Sequence, residues 1–250
     1  MLNFLTSPIT EALIFLYHSL GNNIALAIIA LTLLIRAVLV PVTIPALRSA
    51  KKMQDLKPQL DKIKKKHKDK AKQQQAQLDL YKEHGVSPVS GCLPQIVQII
   101  ILIALYRVFL NFIDKGAVDG VAINMKFLWL DLSKPDPYYI LPVLAGVSQL
   151  LYSFMMQTGL KQDVESPKDK QEKQEEEDSL EMAQSIQQQM VYLMPIMTVI
   201  IASRFPSGLA LYWVVTTLFS FGQQLIVSGP GGLITLKNQL LSKLNFLKND

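Results

Sequence analysis

Apolar residues gather into five stretches, 24–46, 89–113, 138–157, 190–203 and 209–228, and nearly all of the charge lies between them. A hydrocarbon core about 30 Å thick takes roughly 20 helical residues to cross. The pattern therefore predicts five membrane-spanning helices, the fourth of them short. The last two meet through Arg204-Phe205-Pro206-Ser207-Gly208, whose Pro and Gly break a helix and permit a tight reversal. Residues 190–228 are thus expected to form a hairpin of two spans, the alternative being one broken or re-entrant segment.

Two further segments carry helical periodicity. In residues 1–22, Ser7-Pro8 is suited to start a helix, after which Ile9, Ala12, Leu13, Leu16 and Leu20 share one face. This predicts an amphipathic helix on the outer surface, unless the segment simply runs on into the first span (23–47). It has no basic start and no small-residue cleavage site, so it does not read as a signal peptide. Within 48–88, Met53, Leu56, Leu60 and Ile63 recur at three- and four-residue spacing, with Ala71, Leu78 and Tyr81 continuing more weakly. Two short paired helices are expected there, with His67 to Gln75 as the turn and Pro58 kinking or restarting the first. One solvated charged helix is the alternative.

Composition narrows the class. Half of the 250 residues are hydrophobic and the mean hydropathy is +0.24, more apolar surface than a soluble domain of this size buries. The single cysteine, Cys92, lies in an apolar run without Cys or His at metal-ligand spacing, which disfavours disulfide and zinc frameworks. The net charge of +5 is unevenly spread, since loop 48–88 holds Arg48 and eleven lysines and the segment before the first span holds none. Lysine and arginine near span ends stay on the cytoplasmic side. The N-terminus is therefore expected outside, residues 114–137 as an outer loop, and the tail 229–250, with Lys237, Lys243 and Lys248, inside. The inner loop 158–189 is acidic around Glu175 to Asp178, and acidic residues weigh little in this rule.

Arg36 stands near the middle of the first span, about 15 Å from either end at 1.5 Å per residue. An arginine there costs at least ~2.5 kcal/mol, so such residues face a partner or a wet cavity. The five stretches contain no Asp or Glu, which leaves water, carbonyls, polar side chains or a bound polypeptide as its solvation. Thr32 and Thr43 fall within about 40° of Arg36 on an ideal helix. Gln95 and Gln98 share a face of the second span, Gln149, Ser153 and Gln157 one of the third, and Tyr212, Thr216 and Gln223 one of the fifth. Four polar stripes are expected to line one groove; the alternative is ordinary bonding between helices, worth about 0.6 kcal/mol each. Arg107, nearer the end of its span, is expected to snorkel, and Trp129, Tyr138 and Tyr139 suit an aromatic belt.

Specific stretches carry a family resemblance. Gly91-Cys92-Leu93-Pro94-Gln95 with Ala104-Leu105-Tyr106-Arg107 resembles the second core span of the YidC/Oxa/Alb insertases. Phe127-Leu128-Trp129-Leu130-Asp131-Leu132-Ser133 and Asp136-Pro137-Tyr138-Tyr139-Ile140-Leu141-Pro142 resemble the start of the family's third span, and Phe205 to Trp213 the start of its fifth. The resemblance implies an all-α membrane protein of the bacterial plasma membrane, with five transmembrane helices around a hydrophilic groove and a cytoplasmic helical hairpin. It places the groove arginine at Arg36, with Thr32, Gln149, Tyr212 and Trp213 at groove or client-contacting positions. It also implies action on nascent membrane proteins, alone or beside the Sec translocon, with ribosomes delivering the chains. The large outer domain and the lipoprotein signal of some members are not evident here, and the tail is only mildly basic. No cofactor, enzymatic activity or specific nucleic acid is expected. A secondary transporter or channel is the competing class, disfavoured because the spans hold no Asp, Glu or His.

Overall fold

The computed structural model describes residues 3–66, 69–86, 93–115, 117–118, 121–156 and 179–229. Among them it is an all-helical bundle with two small β-hairpins. The helices are α1 (Asn3–Ser19), α2 (Ile24–Asp55), α3 (Lys57–Lys66), α4 (Lys70–Glu83), α5 (Leu93–Lys115), α6 (Ile140–Met156), α7 (Ser179–Ala202) and α8 (Ser207–Ser228). Between α5 and α6, β1 (Ala117–Val118) pairs with β2 (Val121–Ala122), and β3 (Lys126–Phe127) with β4 (Leu130–Asp131), both antiparallel. Three helical regions, Ile24–Leu60, Ile96–Ile113 and Ser207–Ser228, are long and apolar enough to cross a membrane, and Ile140–Met156 and Val191–Ala202 are shorter apolar helices.

Several boundaries differ from those the hydropathy pattern predicts. α1 is already helical at Asn3, so Pro8 lies inside the helix and Ser7 is no cap; its hydroxyl instead donates to Glu11 Oε1 at 3.1 Å. The expected inward face is present, with Leu13 fully buried and Ile9, Ala12 and Leu16 packed on the core, while Leu20 lies past the helix end and is exposed. Gly21 and Asn22, both at positive φ, turn the chain, and the Asn23 side chain caps α2. α2 does not stop near residue 47. It continues through Arg48-Ser49-Ala50-Lys51-Lys52 because polarity changes there while helix propensity does not. Pro41 and Pro45 sit inside it, each removing one amide donor from the ladder.

The break falls at Leu56, and Pro58 occupies the first turn of α3, where a missing amide hydrogen does no harm. α4 begins at Lys70 behind the cap Asp69, so Lys70 to Gln75 is helix rather than turn. The two helices close on Leu56, Leu60, Leu80 and Val86, with Met53, Ile63 and Tyr81 at the edge. Ala71 and Leu78, placed on this seam by spacing, are exposed; Gln77 and Leu80 are the buried positions. α7 starts at Ser179, eleven residues before the apolar stretch. Of the predicted loops and tail, 157–178 and 230–250 lie outside the described residues.

α8 is the centre of the bundle, packing extensively on α2 and α6, and α6 packs in turn on α7. α7 and α8 are joined by the tight turn Ser203–Pro206 yet touch each other little, because α6 lies against both. Gly146 permits the α6–α7 approach, since a Cβ there would lie 2.3 Å from Val199 Cγ2. α5 stands apart, resting mainly on α1.

The main apolar core occupies one end. It gathers Leu13 and Tyr17, the first two turns of α2, Leu105 to Phe112 of α5, Leu130 and Leu132, Leu141 and Ala145 of α6, and Leu209 to Val214 of α8. Polar clamps hold this end shut. Ser207 Oγ donates to the Asp131 carbonyl at 2.9 Å, Gly208 N to the Leu132 carbonyl at 3.1 Å, and the buried Asp136 carboxylate accepts from the amides of Tyr138 and Leu141 at the start of α6. Leu128 (φ +53°) and Tyr139 (φ +57°) hold left-handed backbone, which costs about 1–3 kcal/mol for such residues.

Candidate functional site

One helical turn beyond this apolar plug the buried side chains become polar. Arg36 of α2 is only 9% exposed. Its Nε donates to Thr216 Oγ1 of α8 at 3.4 Å and its Nη2 to Gln98 Oε1 of α5. Gln98 Nε2 donates onward to the Tyr212 hydroxyl at 2.8 Å, and Tyr152 of α6 lies within electrostatic reach of the guanidinium. Four helices thus meet at one cation. Among the described residues no carboxylate stands within ion-pair distance of it. Hydrogen bonds to a charged group are worth about 1.5–3 kcal/mol each, so the two acceptors offset an arginine at membrane depth, ~2.5 kcal/mol or more, without neutralising it.

A second tier lies further along the same helices. Gln223 Nε2 of α8 donates to Thr43 Oγ1 of α2 at 3.1 Å, and the Thr43 hydroxyl reaches back to the carbonyls of Leu39 and Val40. A third tier ties the extension of α2 to the ends of its neighbours: Lys51 Nζ donates to the Ser228 carbonyl at 3.4 Å, and Gln54 Nε2 to the Met156 carbonyl. Among the described residues α5 contributes to the first tier, through Gln98.

Of the residues that spacing nominates, Arg36, Gln98, Tyr212 and Thr216 are brought into one network. Thr43 belongs to the second tier. Thr32 is buried but donates to the Ile28 carbonyl of its own helix at 2.6 Å. Ser153 is buried and Gln149 and Trp213 half-buried, without a bond to the Arg36 network. The Gln95 side chain and Gln157 lie outside the described residues. Tyr152 was not nominated, since a tyrosine in an apolar helix reads as core; its i, i+3 relation to Gln149 was the available signal. Gln224, fully buried with its Oε1 unpartnered among the described residues, was likewise missed beside Gln223.

The family model described as 60Kd inner membrane protein matches residues 15–230. The chain is 35% identical over 232 residues to "Membrane protein insertase MisCA" of Bacillus subtilis (strain 168), covering 91% of this chain and 78% of that one. The chain belongs to the YidC family of membrane protein insertases. "Membrane protein insertase YidC 2" of Bacillus anthracis is 36% identical over 228 residues, covering 89% of this chain and 79% of its own. "Membrane protein insertase YidC" of Fusobacterium nucleatum is 36% identical over 211 residues, with shares of 84% and 88%. Among solved structures, "Active YidC insertase crystal structure with the first transmembrane domain resolved" superposes with a TM-score of 0.60 at 28% identity, covering 88% of this chain. This chain spans 45% of that one's length. For a YidC-family protein of the bacterial inner membrane, the exposed apolar faces of these helices, long and short, are suited to lipid; Leu34, Val38, Ile99, Val143 and Ile200 are examples.

Proposed function

We propose that this chain inserts nascent membrane proteins into the bacterial plasma membrane, using the polar tiers as a groove. The reading places five spans across the bilayer, the N-terminus outside, and the basic hairpin α3–α4 in the cytoplasm. Its support is the asymmetry of the core: an apolar plug at one end and, next to it, a cation whose ligands among the described residues are all neutral. A polar client flank enters from the cytoplasmic side, where Arg36, Gln98, Tyr212 and Thr216, together with water, replace its hydration and lower the cost of burying it. The client's apolar segment then leaves into lipid beside α5, the most loosely joined of the three long apolar helices. Hydrophobic transfer drives that step. The hairpin receives the client, with ribosomes and the Sec translocon as further partners.

Because Arg36 has no ion-pair partner among the described residues, it is free to bind an acidic flank. Arg36→Glu should lower insertion of a small client with an acidic flank at least tenfold in reconstituted vesicles, while a client with a neutral flank suffers less. Equal insertion of both by the variant would sink the charge role.

A further inference from the structure

The β3–β4 hairpin is closed by two residues, Leu128 and Trp129, as its pairings Lys126 with Asp131 and Phe127 with Leu130 require. Two-residue hairpin loops ordinarily carry Asn, Asp or Gly, because they need positive φ. Here Leu128 takes φ +53°. Among the described residues the strained Leu128 itself gains little burial, being 76% exposed, and Trp129 beside it is 45% exposed. Its base, by contrast, is firmly held. Leu130 and Leu132 are buried, Phe127 packs on the core, and Leu132 N donates to the Met125 carbonyl at 2.8 Å. A rigid stem therefore presents a bulky apolar tip outside the fold.

The surroundings show what covers it. Tyr138 and Tyr139, also exposed, precede α6, and Tyr139 is the second bulky residue at positive φ in this segment. From them the exposed apolar surface runs down the lipid-facing side of α6 through Ile140, Val143 and Leu144. Lys126 and Lys134, both exposed, flank the hairpin at its base, the Lys134 ammonium 3.6 Å from the Asp131 carboxylate. An apolar tip, an aromatic pair and lysines behind them form the sequence of chemistries met on passing from acyl chains through the carbonyl region to phosphate.

We infer that the β3–β4 hairpin is a lipid anchor, with Leu128 and Trp129 inserted among the lipids at the carbonyl level of the leaflet that faces the plugged end. The inference uses membership in an inner-membrane family and the lipid-facing surface of α6, and is independent of how the groove works. Its strained turn is kept because it directs two large side chains, rather than one, into the bilayer.

The test uses the intact chain with Trp213→Phe, which leaves Trp129 as the sole tryptophan, reconstituted into phosphatidylcholine/phosphatidylglycerol vesicles. Lipids brominated near the ester end of the acyl chain should quench at least half of the Trp129 emission, those brominated near the methyl end less. Leu128→Asp should restore most of that emission and leave the melting temperature in detergent unchanged, whereas a structural role would move the melting temperature. Should Trp213→Phe fail to fold, the same quantity is the difference between the unaltered protein and Trp129→Phe. Emission insensitive to brominated lipid and quenched by aqueous iodide would overturn the anchor. So would blue-shifted emission that ignores brominated lipid but depends on protein density, which would assign the tip to a second copy of the chain.

Discussion

Gln98 is the residue on which the Arg36 network turns, since among the described residues it joins α5 to the cation and passes a second bond to Tyr212. Replacing it by Leu removes one acceptor from a buried charge and should cost about 1.5–3 kcal/mol, read as a lowered melting temperature in detergent. Gln98→Glu should do the reverse to stability, holding the cation by a charge-assisted bond, and should depress insertion of acidic-flanked clients by occupying their site. Gly208 is sensitive for a different reason. A Cβ there would stand 2.4 Å from a Phe109 ring carbon and 3.3 Å from the Leu132 carbonyl, so Gly208→Ala should destabilise the plug by about 1–3 kcal/mol, the range for overpacking, and Phe109→Leu should recover part of that loss. At the turn after β4, the Ser133 hydroxyl, and less strongly its amide and Lys134, hold the Asp131 carboxyl below the usual carboxylate range. The stability this contributes is complete above that range and is lost as pH falls through the lowered value; Ser133→Ala should flatten the acid limb of the melting temperature against pH. Arg36 was legible in sequence because a mid-membrane cation without acidic company admits few explanations. Tyr152 was not, because a phenol in an apolar helix has a sufficient reason to be there already.

Among the elements, the α3–α4 hairpin stands on a small cluster of its own, Leu56, Leu60, Leu80 and Val86, separate from the main core. Leu60→Asp should therefore open the hairpin to trypsin, whose lysine and arginine sites are dense there, while the melting temperature of the bundle stays put. Loss of both together would show that hairpin and bundle fold as one unit. The periodicity of Met53, Leu56, Leu60 and Ile63 made the first half of this pairing legible. The second half was not, because Lys70 to Gln75 is polar on every side and polarity alone does not distinguish a turn from a solvated helix. The same ambiguity hid the continuation of α2 and the early start of α7. The reversal at Arg204 to Gly208 was plain in sequence, yet a tight turn specifies only that two helices are consecutive; the close approach of α6 to α7 rests on Gly146 and its fit to Val199, which no hydropathy pattern displays.

For the whole molecule, burial changes with depth: the main apolar cluster lies at the plugged end, and the polar tiers below it are interleaved with smaller buried apolar positions such as Ala46, Leu47 and Met155. With the orientation proposed above, cysteines placed at Lys134 and at Lys62, both exposed and each in a Cys92→Ser background, should react with an impermeant maleimide from opposite sides of right-side-out vesicles. Labelling of both from one side would refute the topology. One long element crosses this division. α2 has 32 residues and at 1.5 Å per residue is about 48 Å long, so it outreaches the bilayer and carries the hairpin at its far end. Mechanically it is a lever whose short arm bears Arg36. Pro41 and Pro45 leave the carbonyls of Ala37 and Pro41 without their ladder donors, which makes the stretch just beyond Arg36 the softest point of the shaft. A load on the hairpin therefore meets first the bonds of Lys51 and Gln54 to the ends of α8 and α6, and bends α2 near residues 37–45, beyond the arginine, only once those ties give way.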